Sequence, residues 1–280
     1  MTLQLDLHKP LSLALGAGGV RGFAHIGVLE ALVERGFTIS EIVGSSAGAI
    51  IGAFYAAVGL SLPELRAFGL NLTSQHLLRW ALLRRLPARV RQRYAYLAGI
   101  IPGHLERLGQ MTGRELQHGI ERFGVVCYDI NRREEVFFHS RQEDFPLEEA
   151  ARGSASIPGF FPSRRCQVGG REYRLVDGGV INKLPVDKLF VAPFAPTQIL
   201  AVDVSNVQSI RETNRAKIQT LQQQHPDVPI EILTPDLLGK GTIIYRRQEL
   251  LEIVEAGKRS VGEMFENRGE SWPLASPNES

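Results

Sequence analysis

The chain has 280 residues, enough for one large domain or two small ones. Hydrophobic residues at 44% and charged residues at 22% fit a globular protein and exclude a disordered or fibrous chain. A formal net charge of +2 carries no nucleic-acid signature, and two cysteines, Cys127 and Cys166, cannot build a disulfide framework, so a reduced cytoplasmic setting and no nucleic-acid partner are expected.

Residues 1–10 form a polar lead-in without the basic-then-apolar order of a secretory signal. Residues 11–15, Leu-Ser-Leu-Ala-Leu, read as a buried strand that stops at glycines. Residues 20–36 place Phe23, Ile26, Val28, Leu29, Leu32 and Val33 at helical spacing before Gly36 ends the run. Residues 41–44 predict a second short strand. The 14 residues 47–60 hold only glycine, alanine, aliphatic and aromatic side chains. A membrane span needs about 20 residues, so this run predicts a buried helix.

Residues 61–125 carry ten arginines against four glutamates, a formal +6 where the whole chain has +2. Their pattern is helical, and they read as a basic insertion or cap on the core. Strand candidates follow at 124–130, 135–139, 173–176, 199–204 and 230–233. Residues 237–268 look mostly helical, and 269–280 read as a polar, frayed tail. Apolar strands alternating with helices predict an α/β fold over 11–268, a central, mostly parallel sheet flanked by helices.

Gly44-Ser45-Ser46-Ala47-Gly48 follows the second strand candidate and opens the buried helix, the setting of a Gly-x-Ser-x-Gly nucleophile elbow. Small residues are common at close-packed helix starts, so the pattern gains weight only from that setting. Gly16-Ala17-Gly18-Gly19-Val20-Arg21-Gly22 also lies between a strand and a helix, where backbone N–H groups can cradle an anion. The anion is either a nucleotide phosphate or the oxyanion of an acyl-transfer intermediate. A dinucleotide fingerprint counted from Gly16 needs glycine where Arg21 stands, and no acidic residue ends the next strand. No cofactor and no metal are expected.

A nucleophilic serine needs a base. Of seven histidines only His225 lies beyond residue 177, in a polar stretch that reads as an exposed turn. His25 falls on the first helix and His139 ends a strand. Asp177-Gly178-Gly179 closes the 173–176 strand, at the carboxyl edge where Ser46 would also sit; alone, it is as readily a turn as a base.

In order, Gly18-Gly19-Val20-Arg21-Gly22, Gly44-Ser45-Ser46-Ala47-Gly48, Ala155-Ser156-Ile157-Pro158-Gly159-Phe160-Phe161-Pro162 and Asp177-Gly178-Gly179 resemble the patatin-like phospholipase family, from about residue 11 to 185. Ala17 stands where many members carry a third glycine. The resemblance implies a layout related to the α/β hydrolases and a serine acyl hydrolase with Ser46 as nucleophile and Asp177 as base, without histidine. It implies an oxyanion site built from the amides of Gly18, Gly19, Val20 and Ala47, with Gly16, Arg21, Gly22, Gly44, Gly48, Gly178 and Gly179 shaping the motifs. The implied substrate is a lipid ester, a phospholipid or lysophospholipid.

Two points stay open at this stage. Arg21 either supports the glycine loop or attracts an anionic headgroup. The leucine, tryptophan and arginine run at 77–86 is either an interface helix that meets an anionic membrane surface from the cytoplasmic side, or a cap helix with solvated arginines. The competing reading of the whole chain is a lipid-binding or regulatory protein that keeps the fold and turns over little. Oligomeric state is not legible.

Overall fold

The computed structural model describes residues 5–266. The frayed tail expected at 269–280 and the first residues of the lead-in lie outside the described residues. One sheet contains β1 (Leu11–Leu15), β2 (Ile39–Ser45), β3 (Arg122–Asp129), β4 (Glu134–His139), β5 (Arg164–Val168), β6 (Arg171–Asp177), β7 (Ile199–Val202) and β8 (Ile230–Leu233). Its order is β5-β6-β3-β2-β1-β7-β8, with β4 paired to β3. From β3 to β8 the neighbours are parallel, while β4, β5 and β6 pair antiparallel.

The helices are α1 (Ala24–Glu34), α2 (Ala47–Ala56), α3 (Leu62–Asn71), α4 (Ser74–Leu83), α5 (Ala88–Arg93), α6 (Ile101–Gly109), α7 (Leu147–Ser154), α8 (Gln208–Gln224) and α9 (Arg247–Glu266). Successive side chains of a strand point to opposite faces, and the core divides accordingly. Leu13, Leu15, Ile42, Val125, Leu200 and Val202 pack with residues of α1, α2, α3, α7 and α9. Ala14, Val43, Val126, Ile199 and Ala201 pack with Leu184, Val186 and Leu189 and with Ile218 and Leu221 of α8. Helices on both faces explain why the central strands read as unbroken apolar runs. The basic stretch between α2 and β3 is helical, as its pattern predicts, and builds α3 to α6.

The register along β3 decides where chemistry can occur. One edge of β3 carries β4 from Gly124 to Asp129. On the other edge β2 runs parallel until Ser45 pairs Val126, and β6 runs antiparallel until Asp177 pairs Cys127. The two strands therefore meet carboxyl end to carboxyl end at adjacent positions of β3.

Two expectations change. β5 is absent from the sequence reading because Arg164, Arg165 and Gln167 disguise it; its signal is the Gly169-Gly170 turn to β6, where both glycines take positive φ. Residues 237–246 are not helical, and only α9 matches the expected C-terminal helix. Their backbone is committed elsewhere: the Thr242 carbonyl accepts from Val20 N at 2.8 Å, and Tyr245 N donates to Ser74 Oγ at 2.9 Å.

α2 sits so close to β1 that a Cβ on Gly48 would overlap the Leu15 carbonyl oxygen, a backbone atom that cannot swing aside. Gly48→Ala is expected to cost about 2 kcal/mol or more, read as a lower urea midpoint at unchanged m-value.

Candidate active site

Ser46 links β2 to α2 with φ 55° and ψ −120°, a backbone region that residues with a side chain rarely adopt. Such a turn needs bare backbone on either side: a Cβ on Gly44 would lie 2.5 Å from the Ala49 nitrogen, and Gly48 has no room either. Hydrogen bonds hold the strain in place. Ser46 N donates to Ser154 Oγ at 2.8 Å, and Ser154 Oγ donates to Val126 O at 2.6 Å. The hydroxyl thus fills the space where β2 has ended and β3 continues.

Asp177 reaches the same point from β6. Its Oδ2 accepts from Ser46 Oγ at 2.6 Å and its Oδ1 from Gly179 N at 2.7 Å, while its own N–H donates to Ser156 O at 3.1 Å. Gly178 must be glycine, since a Cβ there would overlap Val126 O. Ser46 and Asp177 are only 4% and 6% exposed. Burial pushes the Asp177 carboxyl up to about 6, against the pull of the hydrogen bonds from Ser46 and Gly179 and the charge of Lys183. The exposed Lys183 is a residue that sequence reasoning missed; its Nζ donates to Gly179 O at 3.0 Å beside the cleft.

The glycine loop closes the other side. Gly18, Gly19, Ser46 and Asp177 line one cleft of about 220 Å³, while Val20 and Ala47 line the cavity next to it together with Ser46. Gly19 takes φ +57°, and a Cβ there would overlap Thr242 O. Among the described residues, the amides of Gly18, Gly19 and Ala47 have no hydrogen-bond partner. The Val20 amide differs from its expected part: it is spent on Thr242 O and is not free to meet a ligand oxygen. Arg21 is buried, with Nε donating to Val204 O and Nη1 to Thr242 Oγ1, both at 3.1 Å. Of its two open readings, the geometry matches support of the loop. Gly16 and Gly22 let the loop lie against Val202 O and Ala47.

No histidine contacts Ser46 or Asp177 among the described residues. His25 is fully buried, its Nε2 2.9 Å from Gly16 O, and burial pushes it down to about 4, so it stays neutral. His225 stacks on Phe190 and His139 packs near Phe137 and Phe194. Ser154 was also missed. It stands four residues before Pro158, the spacing at which a Ser-x-x-x-Pro pattern puts its serine, one position ahead of the 155–162 stretch.

Behind Ser46 the space is apolar. The cavity beside Ala47 is lined by Ile50, Phe68, Leu72, Leu77 and Phe161, and these same residues line a further cavity running beneath α4 and α6. A hydroxyl hydrogen-bonded to a buried carboxylate, unpaired amides nearby and an apolar channel behind it together suit acyl transfer. No described helix is long and apolar enough to cross a membrane.

A family model for patatin-like phospholipase matches residues 13–190. Uncharacterized NTE family proteins of Mycobacterium tuberculosis and Mycobacterium bovis are 35% identical over 182 residues, covering 63% of this chain and 44% of theirs. Lysophospholipase NTE1 of Coccidioides immitis is 32% identical over 203 residues, 71% of this chain and 12% of its own length. The chain thus spans less than half the length of these relatives. The crystal structure of VipD from Legionella pneumophila shares the fold, with a TM-score of 0.51 and 14% identity over 94% of this chain and 67% of that one. Because the matched residues run from β1 past β6 and include both Ser46 and Asp177, the chain belongs to the patatin-like phospholipase family.

Proposed function

We propose that the protein is a serine acyl hydrolase acting on lipid esters, a phospholipid or lysophospholipid, through a Ser46–Asp177 dyad. The observation that carries this reading is the 2.6 Å hydrogen bond from a strained, buried Ser46 to Asp177. Ser46 Oγ attacks the ester carbonyl as its proton passes to Asp177 Oδ2. The tetrahedral oxyanion is met by the free amides of Gly18, Gly19 and Ala47, each such donor being worth about 3 kcal/mol of barrier. Collapse expels the alkoxide, which takes the proton from Asp177, and leaves an acyl-serine. Water then attacks that ester while Asp177 takes its proton; the fatty acid leaves and Ser46 recovers its hydrogen.

The carboxyl raised to about 6 makes Asp177 a better base than an ordinary aspartate. Lys183, on the rim of the cleft, is the cation we assign to a headgroup phosphate, in place of Arg21. The acyl chain occupies the apolar space behind Ser46.

The α4–α5 region supports contact with an anionic membrane surface. Leu78, Leu82, Leu86, Val90 and Tyr96 are exposed, and Arg85, Arg89 and Arg93 are exposed among them. A solvated cap has no use for that much exposed apolar surface, whereas an interface inserts it and draws anionic headgroups to the arginines.

Three outcomes follow. Ser46→Ala and Asp177→Asn are each expected to lower turnover of a short-chain ester and of phospholipid vesicles by roughly a thousandfold or more, against near wild-type rates if the dyad is wrong. Rate and stability should respond to pH in opposite directions. The base must be ionised, so the rate of ester turnover rises through a midpoint near pH 6. Between the ordinary 3.8 and about 6 the folded state holds a proton that the unfolded state has lost, so stability falls with rising pH there, by up to about 3 kcal/mol. Asp177→Asn removes that cost, and thermal denaturation above this window should find it more stable than the parent. Finally, co-sedimentation with phosphatidylglycerol vesicles should exceed that with phosphatidylcholine, weaken with salt, and drop in Arg85→Gln/Arg89→Gln/Arg93→Gln, each lost arginine removing about 1 kcal/mol.

A further inference from the structure

The apolar space that starts at Ser46 is not lined by apolar residues alone. The further cavity that shares its lining, about 150 Å³, is also lined by Trp80, Arg84, His104 and Arg152. Arg84 directly follows α4, and its guanidinium lies 6.0 Å from the centre of the Trp80 ring. Among the described residues no carboxylate pairs with it. Glu148, whose charge reaches Arg84, is held by Arg152 and by Arg164 at 3.2 Å, and Glu149 is held by Arg164 at 3.4 Å. Three guanidiniums, from the end of α4, from α7 and from β5, therefore converge where only two carboxylates answer them.

Burial and the charges of Arg152, Arg164 and Arg91 push Arg84 down to about 10, which still leaves it cationic at neutral pH. A methyl-ended chain that fills the cavity strips water from this cation and returns nothing, since an unpaired charge in apolar surroundings is costly. A chain with an anionic end supplies the missing partner as a charge-assisted, bidentate contact.

Resting on the hydrolase reading of Ser46 and Asp177, we infer that the cavity selects acyl chains ending in a carboxylate, with the ester carbonyl at Ser46 and the terminal carboxylate on Arg84. The substrate class is the half-ester of an α,ω-dicarboxylic acid, including lipid acyl chains shortened and oxidised to a terminal acid. Because both ends of the chain are fixed, selection has a length optimum that a plain apolar tunnel lacks.

The test uses aryl half-esters of dicarboxylic acids of increasing length, each against the aryl ester of the monocarboxylic acid of matching length. The ratio of their kcat/KM values is expected to exceed about tenfold at a preferred length and to collapse in Arg84→Gln. It should hold in Arg79→Gln, an exposed arginine on the same helix. A ratio near one at every length, or a ratio that survives Arg84→Gln, overturns the inference. A binding arm separates this from failure of the hydrolase reading. Calorimetric titration of Ser46→Ala with a monomethyl half-ester and with the matched methyl ester should favour the half-ester, and lose that preference on adding Arg84→Gln. If no ester is turned over, the hydrolase reading falls, and equal binding of the two ligands overturns this inference as well.

Discussion

The site depends on two strands ending against each other. β3 is long enough to serve both β2 and β6 along one edge, and the junction between Val126 and Cys127 leaves no position unpaired. Whatever follows Ser45 must turn away sharply, and whatever ends β6 must stop facing it. A serine at the turn and an aspartate at the stop are then brought within hydrogen-bond distance by sheet register, a constraint far stiffer than loop packing. Ser154 fastens the junction by bonding both the Ser46 amide and the Val126 carbonyl.

Placing Ser46 and Asp177 this way has opposing energetic effects. The positive φ of Ser46 and the buried carboxylate both destabilise the fold, by amounts of about 1–3 kcal/mol each. The sheet beneath, with β1, β2 and β7 almost wholly buried, is what tolerates them. The glycines at 44, 48 and 178 avoid a further cost, since side chains at these positions would collide with backbone rather than with movable groups. The same burial that weakens the fold raises the Asp177 carboxyl to about 6, the basicity that the proposed acyl transfer requires, so on that reading instability and reactivity share one origin.

The legible part of the site was the part written in short turns. Ser46, Asp177 and the glycine loop each sit where a strand ends, and a strand, a glycine and a reactive residue in succession can be read without knowing the fold. What a local reading misses is long-range commitment. The Val20 amide looked equivalent to its neighbours until Thr242 arrived from the far end of the chain to occupy it. Ser154, 108 positions from Ser46, is marked by its distance from Pro158 as a motif position, but that spacing does not say that it bonds the Ser46 amide. Lys183 was invisible because a lysine beyond a turn has no periodic signature. In the fold, apolar strands were found and the charged β5 was not, because hydrophobic pattern reports burial, and β5 at the sheet edge is only partly buried. For Arg21 and the basic helix, sequence left two readings each; for Arg21 a buried guanidinium with backbone and hydroxyl partners separates them.

On the proposed reading, a buried, ionised Asp177 activates Ser46. Fluorophosphonate labelling followed by peptide mapping addresses it without any assumption about the natural lipid. One adduct is expected, on Ser46, formed at a rate that climbs through pH 6 and is lost in Asp177→Asn. An adduct on another serine, none at all, or labelling of Ser46 that is indifferent to pH and to Asp177, would contradict it.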